Sequence, residues 1–180
     1  MLNKMMMNPR LGYFAGAVIC AALLGFGLYL QHVDGQEPCP LCIFQRVAFI
    51  ALGLVFLVAA LHGPRKTGAI VYGVLGFIFA AAGTGLAARH VWLQSLPADQ
   101  VPACGPGLSY MLEQFPLMRM LQSVLAGSGE CAEAGWKFLG LTIAGWSLIW
   151  FVLLGGFMIW LMWCQIKKRN NQNLSQNPRD

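Results

Sequence analysis

Apolar residues in this chain do not alternate with polar ones; they gather into four long blocks, at residues 11–30, 43–62, 68–88 and 141–163. A helix needs about 20 such residues to cross the hydrocarbon of a bilayer. Inside lipid each backbone amide has to be paired within its own segment, so all four blocks are expected to be α-helices. The pattern predicts an all-α integral membrane protein, a four-transmembrane-helix bundle. Stretches such as AAAGTGLAA (Ala80 to Ala88) would let helix backbones approach closely. Residues 1–166 then form a single membrane domain, with outer loops at 31–42 and 89–140, and 167–180 is a polar tail whose NNQNLSQNPRD end, residues 170–180, is expected to be disordered. In the longer loop, Leu108, Met111, Leu112, Phe115, Met118, Leu121 and Leu125 recur at helical spacing around Pro116. They predict a short interfacial helix on the membrane surface, a placement compatible with packing on the bundle.

Composition supports lipid as the solvent: 57% of the 180 residues are hydrophobic and 11% charged. Average globular usage is roughly 45–50% apolar and about 25% charged. The net charge of +5 does not indicate a nucleic-acid partner, because the cations sit in short clusters between apolar blocks. Lys4, Arg10, Arg65, Lys66, Lys167, Lys168, Arg169 and Arg179 account for eight of the twelve Lys and Arg, all on one side. That bias places both termini in the cytoplasm and the loops at 31–42 and 89–140 outside. The first block follows a basic start but is longer than the ~7–15 residues of a signal-peptide core, and no A-x-A site follows it, so it is expected to stay as an anchor.

This topology sorts the six cysteines. Cys20 falls inside block one and Cys164 at the end of block four, and both are expected to act as small hydrophobes. Cys39, Cys42, Cys104 and Cys131 fall in, or at the edge of, the outward segments, two to each loop. Thiols outside the cytoplasm tend to oxidise, so two structural disulfides are one reading. A four-thiolate zinc site is another, although the paired spacing of zinc ribbons is missing. Redox chemistry suits the spacing best, since a C-x-x-C link closes too small a loop to stabilise much and such pairs are often redox-active.

PCPLCIFQR, Pro38 to Arg46, carries the candidate chemistry. Helix is expected to start after Pro40, which puts Cys42 in the first turn, where the helix dipole favours a thiolate. Arg46 lies four residues on, on the same face. It can stabilise that thiolate or hold an electronegative oxygen on a partner; snorkelling to the interface is its bland role. Cys39, on the loop side, is expected to exchange with other thiols. Electrons collected by the pair need a sink, and no flavin or nicotinamide fingerprint is present. A lipid-soluble quinone meets the need, with its carbonyl held by Arg46.

Cys104 lies in PADQVPACGPG, an irregular segment accessible to a partner's thiol, and GSG at 127–129 gives slack before Cys131. His90, just after block three, either serves a quinone as a donor or is a solvated interfacial histidine. Trp136 is expected to be an interface anchor.

Together these residues resemble the DsbB family, the disulfide bond formation protein B family of bacterial inner-membrane thiol–quinone oxidoreductases. The likeness is carried by CPLCIFQR at 39–46, the four-block layout, Cys104, and GECAEAGWKFLGL at 129–141, and spans nearly the whole chain except both tails. It implies a bacterial inner-membrane location with periplasmic loops. A reduced, periplasmic DsbA-type oxidase would attack a Cys104–Cys131 disulfide, forming a mixed disulfide with Cys104. Cys131 would then exchange with Cys39, leaving Cys42 as a thiolate facing ubiquinone or menaquinone, supported by Arg46 and His90. Partners would be that oxidase, the quinone pool and the bilayer, with no nucleic acid and no metal. Position 45, which is Gln45 here, carries Glu in some members.

A membrane thiol reductant sending electrons outward would use the same cysteines, but the cytoplasmic side offers none to feed it. A four-thiolate metal-binding or transport protein is the non-enzymatic alternative. Labelling of intact cells with a membrane-impermeant maleimide after mild reduction should reach Cys39, Cys42, Cys104 or Cys131 in single-cysteine variants; labelling of none of them would invert the topology.

Overall fold

The computed structural model describes residues 8–35, 38–97, 100, 116, 118–119, 122, 124, 129–132 and 137–176. It contains helices α1 (Pro9–Val33), α2 (Pro40–His62), α3 (Lys66–Gln94), α4 (Gly129–Ala132) and α5 (Ile143–Gln176), and strands β1 (Lys137–Phe138) and β2 (Leu141–Thr142). α1, α2 and α3, together with the Ile143–Lys167 part of α5, contain the four stretches long and apolar enough to cross a membrane.

Local sequence sets the ends. Proline opens α1 and α2, at a first-turn position where a missing N–H leaves nothing unpaired. Gly63 closes α2 in the left-handed conformation (φ 61°, ψ 58°), its N–H donating to the Ala59 carbonyl at 2.9 Å; Pro64 follows. α3 runs past Ala88, where the apolar block ends, because nothing in ARHVWLQ breaks a helix. At its C-terminus the Ser95 hydroxyl donates to the Trp92 carbonyl at 2.7 Å. α5 likewise continues beyond Ile166 to Gln176 where a disordered tail was expected. Its Lys, Arg, Gln and Asn residues sustain helix, and the first proline is Pro178. The fourth block does not begin as helix: Lys137 pairs with Thr142 and Phe138 with Leu141 in an antiparallel hairpin. Its two-residue loop, Leu139 and Gly140, has φ of 52° and 80°, the left-handed pair of a type I′ turn.

Consecutive long helices pack side by side, α1 on α2, α2 on α3 and α3 on α5, and α5 returns to α1 to close the bundle. Tyr13, Phe49, Leu52, Phe56, Phe151, Leu154, Met158 and Leu161 form the central core. The Phe49 and Phe151 rings stack at 3.9 Å. Only 22–39% of the most apolar stretch of each long helix is buried, so lipid must cover the remainder. Phe14, Leu54, Val71, Ile78 and Val152 project outward accordingly. Without a hydrophobic drive between helices in lipid, close fit holds the bundle together. Gly16 admits the Phe56 ring, and Gly76 admits Met158. At the end remote from Cys39, Gln165 donates to the buried Tyr13 hydroxyl at 2.8 Å, tying α5 to α1.

Of the expected interfacial helix at 108–125, Met118, Arg119, Gln122 and Val124 are described and helical and Pro116 is described outside a helix; the rest lies outside the described residues. A Cβ at Gly83 would collide with the Phe151 ring, whereas one at Gly85 has no described atom within 4 Å. Gly83→Leu should therefore cost about 1–3 kcal/mol by overpacking, and Gly85→Ala should be tolerated; thermal unfolding in detergent compares the two.

Candidate active site

Cys39 is the N-cap of α2, with extended backbone at φ −64° and ψ 162°, and Pro40 is the first helical residue. Cys42 follows in the first turn, as the sequence predicts. The two thiol sulfurs lie 3.2 Å apart, about 1 Å beyond a disulfide bond length. Closing or opening that bond therefore asks little of the backbone.

His90 approaches from the last turns of α3. It is 3% exposed, so the solvated interfacial role is overturned. The extension of α3 to Gln94 carries His90 inside the packed helix instead of leaving it on a loop. Its Nε2 lies 3.8 Å from the Cys39 sulfur and its Nδ1 4.0 Å from that of Cys42. The ring is held from both sides: the Gln45 amide nitrogen is 3.1 Å from Nδ1, and that of Gln94 is 3.4 Å from Nε2. Gln94 in turn accepts from the Thr142 hydroxyl at 2.7 Å. A continuous set of polar contacts thus runs from the hairpin through α3 to α2.

Arg46 shares this end of the bundle but reaches sideways. Its guanidinium donates to the Gln31 side chain and, at 3.1 Å, to the Gly27 carbonyl, both on α1. It is therefore positioned by α1 rather than stretched toward water, contrary to simple snorkelling, and among the described residues its hydrogen bonds go to α1 and not to Cys42. Cys42 and Arg46 instead line a common cavity of about 530 Å³, together with Cys39, Gln45, His90 and Gln94. Leu23, Leu30, Phe49, Trp146 and Trp150 supply much of its apolar wall. Trp146 is fixed by a 3.1 Å bond from its indole N–H to the Phe138 carbonyl, so the hairpin shapes one side.

Cys131 is buried on α4, packed in one small cluster with Cys39, Leu41, Leu93 and Val124. GSG was expected to leave it on a loose arm; here α4 carries it against the first cysteine pair. Cys104 and Trp136 lie outside the described residues. Cys20 is buried in the core and Cys164 half-buried on α5, and neither lines this cavity. Sequence reasoning missed Gln45, Gln94 and Thr142 as contacts. Gln45 is four residues before Phe49 on the inner side of α2, and an uncharged but strongly polar residue there was the available signal.

These features match known proteins. A family model described as Disulfide bond formation protein DsbB matches residues 9–161. The chain is 58% identical over 139 residues to "Disulfide bond formation protein B" of Nitrosococcus oceani, covering 77% of this chain and 82% of the relative. It is 57% identical over 137 residues to the protein of the same name from Hahella chejuensis, at 76% and 83% coverage. The like-named Chromobacterium violaceum protein is 53% identical over 134 residues, at 74% and 81%.

Gln45→Leu removes the amide beside a buried ring nitrogen. It should cost about 1–3 kcal/mol of stability, the usual penalty for orphaning a buried polar group. It should also change the tautomer balance of His90, read by imidazole nitrogen NMR; an unchanged spectrum would separate Gln45 from His90.

Proposed function

The chain belongs to the DsbB family of disulfide bond formation proteins, a multi-pass membrane protein and disulfide-forming oxidoreductase, and from that premise we propose that it reoxidises a periplasmic DsbA-type thiol oxidase and passes the electrons to a membrane quinone. The supporting observation is the meeting of the Cys39–Cys42 pair with a large, mostly apolar cavity that also contains Arg46 and His90. In this reading the cysteine end faces the periplasm of a bacterial inner membrane, both termini are cytoplasmic, and residues 1–166 act as one membrane domain. The clustering of cations on the other side supports that direction.

The residues fit a quinone in three respects. The cavity volume is within the roughly 300–1,000 Å³ of small-molecule sites. Its wall is mainly apolar, and Arg46 and the amides of Gln45 and Gln94 line it together with the two sulfurs. A quinone bound there, ubiquinone or menaquinone, supplies an acceptor for two electrons and two protons. Arg46, braced on Gln31 and Gly27, can orient a carbonyl oxygen with its remaining N–H donors. His90 is close enough to both sulfurs to hold or deliver a proton as the thiols lose theirs. Its Gln45 and Gln94 contacts limit how the ring can turn.

Upstream, the oxidase dithiol is oxidised as the Cys104–Cys131 disulfide is reduced. With Cys104 held in the mixed disulfide with the oxidase, the released Cys131 exchanges with Cys39 and opens the Cys39–Cys42 disulfide, leaving Cys42 as the thiolate. Collapse of the interloop link restores both disulfides, so one electron pair passes from oxidase to quinone. The shared packing of Cys39 and Cys131 supports that link. DsbA-type oxidases are known to be strong oxidants, at about −120 mV, so the downstream acceptor has to draw the sequence forward.

Anaerobic mixing of the purified chain with ubiquinone and a reduced DsbA-type oxidase tests the proposal. Oxidation should be catalytic with quinone and stop after about one equivalent without it. Cys42→Ser should abolish turnover, and Arg46→Ala should raise the quinone concentration needed. Continued turnover of quinone-free protein, or normal behaviour of both variants, would sink the mechanism.

A further inference from the structure

The side chains around the cysteine pair are also a metal-ligand set. We propose that, when Cys39 and Cys42 are both reduced, they and His90 bind one zinc-type divalent ion, which occupies the pair and prevents its disulfide from closing. This goes beyond electron transfer to quinone and requires neither a quinone nor a thiol oxidase.

Geometry supports it. One ligand atom from each of the three residues lies within 4.8 Å of the others. Zinc binds sulfur at about 2.3 Å and imidazole nitrogen at about 2.0–2.1 Å. A tetrahedral ion with such bonds holds its sulfurs about 3.8 Å apart and each sulfur about 3.6 Å from the nitrogen. The sulfurs here are 3.2 Å apart, and the sulfur–nitrogen approaches are 3.8 and 4.0 Å, to different nitrogens of the ring. Admitting the ion asks the sulfurs to separate by about 0.6 Å and the ring to turn one nitrogen to the centre.

Chemistry and surroundings agree. Thiolate and imidazole donors suit zinc and its softer relatives over magnesium or calcium. Two thiolates cancel the ion's charge, so the complex is neutral, which suits a buried place. All three ligands line the cavity, leaving a fourth coordination position for water on its open side. Whichever nitrogen of His90 binds, the other has a glutamine beside it: Gln45 at Nδ1 or Gln94 at Nε2. Turned to present its oxygen, that amide accepts the ring N–H, the outer contact that ligating histidines require. Binding releases one proton from each thiol and moves no electron. Because the same sulfurs form either the disulfide or the metal bonds, the oxidised centre has no site. The ion therefore inhibits only the reduced state.

The test uses the full chain in detergent, reduced, freed of reductant without oxygen, and titrated with Co²⁺. Thiolate-to-cobalt charge-transfer absorption should saturate near one equivalent and disappear when Zn²⁺ displaces the cobalt. Protein oxidised with ferricyanide should give no such band. The double variant Cys39→Ser/Cys42→Ser should lack it, His90→Ala should weaken binding about 100-fold or more, and His90→Cys should restore it. A missing band in the reduced native chain, a band surviving in the double serine variant, or unaltered affinity in His90→Ala overturns the proposal. Turnover is not read, so failure of the quinone mechanism would leave this result standing.

Discussion

A polar side chain sunk into the end of a lipid-embedded bundle has no water to fall back on, and must find its hydrogen bonds within the protein. The cysteine end of this chain is organised by that demand. His90 lies between the amides of Gln45 on α2 and Gln94 on α3, one of which can donate to its unprotonated ring nitrogen, and Gln94 in turn accepts from Thr142 of the hairpin. Arg46 is met by a side chain and a carbonyl of α1. Apart from the His90–Gln94 contact within α3, these contacts cross between elements, so the polar groups that equip the site also fix the relative positions of the segments carrying them.

The apolar part of the bundle supports the same arrangement from below. Phe49 lies one turn beyond Gln45 and Arg46, belongs to the cavity wall, and stacks on Phe151. Phe151 in turn fills the space left by Gly83 on α3. The Phe49 wall of the cavity and the α3–α5 contact at Gly83 are therefore one packing unit. A larger residue at Gly83 would disturb that wall without touching any reactive atom. Lipid-facing residues such as Ile78 and Val152 have no such constraint, since a hydrocarbon chain adapts to whatever shape they present.

Four membrane-crossing helices were legible because the period and length of apolar blocks are local properties of the chain. Cys39 at the helix cap, with Cys42 in the first turn, was legible because proline fixes where a helix can begin. The Gln45 partner of His90 was not, because Gln45 is an ordinary helical residue until two helices meet, and Gln94, one turn after His90, becomes a partner only because α3 runs on past the apolar block. Arg46 was read from its spacing to Cys42; only the packing of α1 reveals that its guanidinium turns toward Gln31 and Gly27. The hairpin before α5 escaped for another reason. Its strands are two residues each, too short to show alternation, and its turn places a leucine where glycine or asparagine is usual. Cys131 was assigned from composition to a slack arm, while burial against Leu41 and Leu93 depends on contacts far apart in sequence.

The cap position of Cys39 has a mechanical meaning. Its carbonyl accepts the first bond of α2, from Ile43 N–H at 3.2 Å, so the backbone at this residue is tied to the helix. The sulfur, by contrast, hangs on a single rotatable bond with three staggered settings. It is a switch arm on a fixed pivot, and the direction in which it points decides whether it stays beside its near neighbour or turns toward whatever the long loop delivers.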